Sequence, residues 1–151
     1  MNVGQICQRS TVTVRTFNEV TYAAQLMREK HVGYLVVVEP NVSDGLSRPV
    51  GVLTDRDIVV TVVARQTDPR TLRVGDIMTQ QPVTVGAADS IDRALQEMRR
   101  IGVRRMPVVG HRGELVGVLS LDDVLNVVAG EVQNVAGSLR NERLIEGALR
   151  P

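Results

Sequence analysis

The sequence predicts an α/β fold built from two similar halves, and three observations carry that prediction. Sliding the chain against itself by 71 residues lays positions 3–38 on 74–109 without a gap, and 13 of the 36 pairs are identical; this is an internal repeat. Each half presents the same succession of patterns: a short β-rich run, a run with helical spacing, two Val-rich runs and a second helix. One turn is written twice, as Gly51-Val52-Leu53-Thr54-Asp55-Arg56-Asp57 and, 66 residues later, as Gly117-Val118-Leu119-Ser120-Leu121-Asp122-Asp123. Strand, helix, strand, strand, helix, taken twice, is an α/β order whose copies are expected to pair about a pseudo-two-fold axis through their apolar faces.

Taken in order, the first strands are Val12-Thr13-Val14 and Val83-Thr84-Val85. Asn18 and Asp89 are expected to cap helices over 19–30 and 90–101, in which Ala23, Leu26, Met27 and Ala94, Leu95, Met98 recur at core-facing spacing. Two hairpins follow, Tyr34–Val38 with Val50–Leu53 and Met106–Val109 with Leu115–Leu119, and their continuous Val/Leu runs predict burial on both faces. Past Val38 the repeat offset falls to 66, because the first copy carries five extra residues within Glu39–Pro49. Pro, Gly, Asn and Ser there predict an exposed connection. Asp68-Pro69-Arg70 closes the first copy and Val74–Met78 opens the second.

The expected division is 1–68 for the first repeat, 69–128 for the second and 129–151 for a C-terminal helical extension. In that last helix Val124, Val128, Val132, Val135 and Leu139 form one apolar stripe, weakened by Gly130 and Gly137. Its expected role is to cover the module's own core, with self-association as the alternative.

Composition narrows the function classes. Hydrophobic residues at 43% and charged residues at 23% are those of a globular chain, and aromatics at 2% leave the core to Val, Leu, Ile, Met and Ala. A net charge of +1 offers no general attraction for nucleic acid or an anionic membrane. No apolar run approaches the roughly 18 residues that span a bilayer, and no secretion signal is recognisable, so a cytoplasmic location is expected. The lone Cys7 excludes an intrachain disulfide and aligns with Met78, which predicts a small buried hydrophobe. Neither His31 nor His111 has a second ligand at metal-binding spacing, so no metal is expected. No nucleophile and base pair can be argued, so no enzyme and no catalytic residue are expected.

The doubled turn holds the most specific chemistry. Thr54 and Ser120 each stand where a hydroxyl can cap the following helix, with Asp57 and Asp123 three residues further on. The same geometry suits a ligand, because free N–H groups attract phosphate and a carboxylate accepts from sugar hydroxyls. Helix capping alone is the plainer reading of all four residues.

Repeat, element order, the doubled Gly-h-h-Thr/Ser-x-x-Asp turn and Met106-Pro107-Val108-Val109 together resemble the tandem cystathionine β-synthase (CBS) domain pair, or Bateman module, over residues 1 to about 128. The resemblance implies a regulatory fold that binds adenosine-containing ligands (AMP, ADP, ATP, S-adenosylmethionine) between its repeats, and that pairs into flat dimers. With no catalytic or transport domain in the chain, it implies a stand-alone module with an effector protein as its target. Carried over by position, it puts Asp57 and Asp123 on ribose hydroxyls, with Thr54 and Ser120 near ribose or phosphate. Adenine would lie against Val83, Thr84, Val85 and Val103 at the Asp57 site, and against Val12, Thr13, Val14 and Val32 at the Asp123 site.

Charge separates these two sites. Arg56, Arg104 and Arg105 converge on the first, whereas the second has Asp122 in place of Arg56, and Gly33-Tyr34 in place of Arg104-Arg105. Converging guanidiniums make charge-assisted bonds to phosphate. An adenine nucleotide is therefore expected at Asp57, and either nothing or a less negative ligand at Asp123. The alternative is a ligand-free structural or protein-interaction module that dimerises; nucleic-acid binding is disfavoured because the chain offers no aromatic stacking surface.

Overall fold

The Val-rich runs form the hairpins of two separate sheets. The computed structural model describes residues 1–149. Its elements are α1 (Val3–Ile6), β1 (Thr13–Val14), α2 (Val20–Lys30), β2 (Tyr34–Pro40), β3 (Ser47–Thr54), α3 (Asp55–Ile58), α4 (Val74–Ile77), β4 (Thr79–Gln80), β5 (Val85–Gly86), α5 (Ile91–Ile101), β6 (Arg105–Val109), β7 (Leu115–Ser120) and α6 (Leu121–Leu149). Sheet order is β1-β2-β3-β4 in one half and β5-β6-β7 in the other. In each, a short first strand runs parallel to the hairpin strand that follows the crossover helix, and the hairpin itself is antiparallel. Leu35, Val36, Val37 and Val38 are all buried, as a strand covered on both faces requires.

The two halves exchange their N-terminal arms. Val3 and Cys7 pack in the core of the second repeat with Met106, Val108 and Leu119, while Val74 packs in the core of the first with Leu35, Val37 and Leu53. The exchange is reciprocal in its hydrogen bonds. The Gly4 amide donates to the Ala87 carbonyl at 2.8 Å and the Gly75 amide to that of Thr16 at 2.9 Å. A Cβ on Gly4 would lie 3.0 Å from the Ala87 oxygen, and one on Gly75 3.3 Å from the Thr16 oxygen, so both positions favour glycine by close approach. The arms also extend the opposite sheets, with Gly51–Gln80 and Val52–Thr79 pairing in one half and Gln8–Val118 in the other. Each repeat thus completes its core with a segment that precedes its twin in the chain, and the pseudo-two-fold pairing is built into the backbone.

Several elements differ from expectation. The helices begin one residue later than predicted, at Val20 and Ile91. Ser90 caps α5 through the Arg93 amide, and Glu19 precedes α2 without a side-chain cap. Asn18 and Asp89 brace the preceding turns instead, accepting from the amides of Arg15 at 2.7 Å and Gly86 at 2.9 Å. This is the local competition that short polar side chains offer a helix start. The first hairpin continues into the predicted connection: Glu39 pairs with Arg48 and Pro40 with Ser47, past a bulge between Val37 and Val38. Glu39 also accepts from Arg15 Nε and Nη2, the Thr16 amide and Thr16 Oγ1 at 2.6–3.0 Å, which ties the long hairpin to the β1–α2 turn.

After Asp57 the first repeat has only α3 and a π-helical stretch, Val59–Val63, while its counterpart α6 runs for 29 residues. The apolar stripe of α6 does not cover the core. Val124 is buried, but Val128, Val132, Val135 and Leu139 are 52–63% exposed. The helix axis carries those residues off the end of the module, since 29 residues span about 44 Å. The extension predicted as 129–151 is helical through Leu149, and its last two residues lie outside those described. No helix among the described residues is long and apolar enough to cross a membrane.

Candidate functional site

Both doubled turns fold as reciprocal capping boxes. Thr54 Oγ1 accepts from the Asp57 amide at 3.1 Å while Asp57 Oδ2 accepts from the Thr54 amide at 2.8 Å. Ser120 and Asp123 repeat both bonds, at 3.1 and 2.8 Å. Capping is therefore real in each half, and is worth about 1 kcal/mol. The remaining valences differ. Asp57 Oδ1 and the Thr54 hydroxyl proton have no protein partner among the described residues. In the other turn the Ser120 hydroxyl donates to Asp123 Oδ2 at 2.6 Å, and Asp123 Oδ1 accepts from Gln8 Nε2 at 3.0 Å.

Each turn opens on a cleft between the repeats. The Asp57 cleft has a volume of about 820 Å³, and the Asp123 cleft about 230 Å³. Small-molecule pockets run from about 300 to 1,000 Å³, so only the first has ligand size. It brings together Thr54, Arg56, Asp57, Val83, Val103, Arg104 and Arg105. The guanidiniums of Arg56, Arg104 and Arg105 form no ion pair among the described residues, whereas six other arginines do. The small cleft brings together Val12, Val32, Ser120 and Asp123, with Asp122 on its rim.

Four predicted wall residues lie elsewhere. Val14 and Val85 are each 3% exposed within the cores, and neither Thr13 nor Thr84 lines its cleft. Val12 and Val83 precede β1 and β5 and reach the clefts, whereas Val14 and Val85, inside those strands, pack in the cores of their own repeats.

Sequence reasoning missed several lining residues. Gln81 and Pro82 line the large cleft, and Ser10 and Thr11 the small one. They are related by the same 71-residue offset, so the repeat itself held the signal. Gly33, Tyr34 and Arg105 line both clefts; Tyr34 and Arg105 are repeat mates and form the wall between them. Burial pushes the Tyr34 phenol above its ordinary pKa, and the positive charge of Arg105 opposes that shift. Burial likewise pushes the Cys7 thiol up, as suits a packed hydrophobe rather than a reactive nucleophile. No cluster of three or more His, Cys, Asp or Glu side chains suited to a metal occurs among the described residues.

Fold and clefts define a paired-repeat α/β module that encloses a ligand-sized cleft between its halves. The CBS domain model matches residues 3–64 and 74–130, and the chain belongs to the CBS domain family. It is 32% identical over 127 residues to an uncharacterized protein of Methanopyrus kandleri, covering 84% of this chain and 62% of that protein. A mitochondrial CBS domain-containing protein of Arabidopsis thaliana is 31% identical over 130 residues, with 85% of this chain and 61% of that one covered. The chain therefore spans about three fifths of the length of these relatives. Among solved structures, a CBS domain protein of Pyrobaculum aerophilum complexed with AMP is similar at a TM-score of 0.71 and 30% identity, covering 82% of this chain and 89% of that one.

Proposed function

We propose that the chain is a regulatory module, without catalysis, that binds an adenosine-containing ligand, AMP, ADP or ATP, in the Asp57 cleft and so reports energy or metabolite status. The observation that carries this reading is the set of unpaired guanidiniums around a ligand-sized cleft whose turn keeps one carboxylate oxygen open. Asp57 Oδ1 accepts from the ribose hydroxyls, Thr54 donates nearby, and Val83 and Val103 from the opposite repeat flank the base. Arg56, Arg104 and Arg105 take the phosphates with charge-assisted bonds. The AMP complex of the Pyrobaculum relative supports the ligand class.

Because Asp57 and Arg56 come from one repeat and Val83, Val103, Arg104 and Arg105 from the other, a bound ligand bridges the halves. It binds their closed arrangement more tightly than an open one, and only that difference shifts the population. The signal passes to an effector protein in the cytoplasm, with the module acting as a homodimer. Neither nucleic acid nor membrane is a partner in this reading, and the ligand serves as a regulator rather than a catalytic cofactor.

A second reading, a ligand-free interaction module, is favoured by one observation, the exposed stripe of α6. Calorimetric titration with AMP, ADP, ATP, NAD and S-adenosylmethionine separates the two. Saturable binding that is lost in Asp57→Ala and kept in Asp123→Ala supports the sensor. Silence across the panel from folded, ligand-free protein transfers the conclusion to the interaction module.

A further inference from the structure

From Leu125 onward α6 has no buried residue, and Gly130, Gly137 and Gly147 face open space. Each glycine costs a helix about 1 kcal/mol relative to alanine, and helices in water draw most of their stability from packing of an apolar face. Leu125, Val128, Val132, Val135 and Leu139 supply such a face, 52–63% exposed. Their spacing of three and four residues is the heptad seam of two helices wound together, with Leu125, Val132 and Leu139 at one seam position and Val128 and Val135 at the other. The stripe begins inside the CBS domain match and runs past residue 130, where that match ends.

We propose that α6 docks on α6 of a second copy of this chain, in antiparallel orientation. This rests on the self-association reading, not on nucleotide binding. A two-fold axis makes such an interface isologous, so each contact occurs twice. Placing the axis between residues 133 and 134 sets Val132 against the partner's Val135 and Val128 against the partner's Leu139, with Leu125 against the partner's Glu142 where the seam ends and the small Ala129 beside the partner's Ala136. The same register brings Asp122 to the partner's Arg143. Neither side chain has an ion-pair partner among the described residues of its own chain.

A parallel pair fits less well. It stacks Leu on Leu at 125 and 139 and Val on Val at 132 in the first seam position, with Val on Val throughout the second, where two parallel strands prefer leucine, and it leaves Asp122 and Arg143 apart.

Sedimentation of the full chain and its variants tests the proposal, with circular dichroism and thermal unfolding to show that the repeats stay folded. The wild type is expected to be dimeric. Val132→Asp and Leu139→Asp weaken the dimer by about 100-fold or more, since each buries two carboxylates in the seam. Arg143→Asp weakens it by about fivefold, and adding Asp122→Arg restores it. When Ala129→Cys and Ala136→Cys chains are mixed, a short bifunctional thiol reagent joins 129 to 136 of the partner.

A monomeric wild type, a dimer indifferent to both seam substitutions, cross-links between identical positions, or a charge exchange that fails to rescue overturns the proposal. Nucleotide titration of the same variants is read separately, so the dimer can stand where the sensor reading fails, and the reverse.

Discussion

The Asp57 and Asp123 clefts grow from the same turn and the same capping box, yet they differ in volume and in which carboxylate oxygens are bonded. At Asp57 the carboxylate keeps an open oxygen beside three unpaired guanidiniums in about 820 Å³. At Asp123 both carboxylate oxygens are taken, one by Gln8 of the exchanged arm, in about 230 Å³ lined by Asp122 and one guanidinium, Arg105, whereas Asp55 is the second carboxylate of the larger cleft. A duplicated motif therefore specifies a turn, and its neighbours specify a site. Capping takes one carboxylate oxygen at Asp57 and, with Gln8, both at Asp123.

The largest expected break in this contrast is Asp57→Asn, which keeps a capping acceptor and removes the charge. Adenine-nucleotide affinity should fall by about 10- to 100-fold, the range for a hydrogen bond to an ionised group, while Asp123→Asn stays within about twofold. Calorimetry checks both, and equal losses in the two variants would erase the polarity. Next, Arg104→Ala and Arg105→Ala should each weaken ATP by about tenfold and leave adenosine nearly unchanged; an equal loss for adenosine would move these arginines off the phosphates.

Asp122→Arg sharpens the question of charge against space. Volume limits the small cleft, so nucleotide stoichiometry should stay at one per chain. A second site gained on that substitution would make charge the determinant.

Smaller effects test the shared scaffold. Ser120→Ala and Thr54→Val each remove a cap and should cost about 1 kcal/mol, or about 2–4 °C in midpoint by calorimetry. Ser120 should cost more, because it is 7% exposed and also donates to Asp123.

The smallest effect concerns the anchor that only the first repeat has. Hydrogen bonds from Arg15, then Thr16, against the opposing effect of burial, hold the Glu39 carboxyl at about 2, below its ordinary 4.5. That depressed value contributes stability present above the unfolded pKa and lost as pH falls from about 4.5 towards 2. Thermal melts of Glu39→Gln should show a lower midpoint at neutral pH and a shallower acid limb; an unchanged limb would remove Glu39 from the linkage.

Many of the residues that line the two clefts were legible because the repeat makes each half a check on the other. Matching Arg56 to Asp122, and Arg104-Arg105 to Gly33-Tyr34, exposed the charge difference with no coordinates. Val85 and Val14 were misplaced because they lie inside short strands whose side chains fill the cores, while Val12 and Val83 precede those strands, and family position alone does not say where the strand begins. The Val stripe of α6 reads the same whether it covers its own core or faces outward, since periodicity reports a face and not what lies against it.

By itself the sequence determined two α/β repeats, Val-rich hairpins, capped turns at Thr54 and Ser120, and an excess of arginine beside Asp57. These follow from period, propensity and local hydrogen bonding, which act over a few residues. Only the tertiary structure decided that the arms at Val3 and Val74 exchange cores, that Gln8 closes on Asp123, and that Tyr34 and Arg105 wall both clefts. Those contacts join residues some 20 to 115 positions apart, where chain connectivity imposes no partner and packing against the opposite repeat selects one.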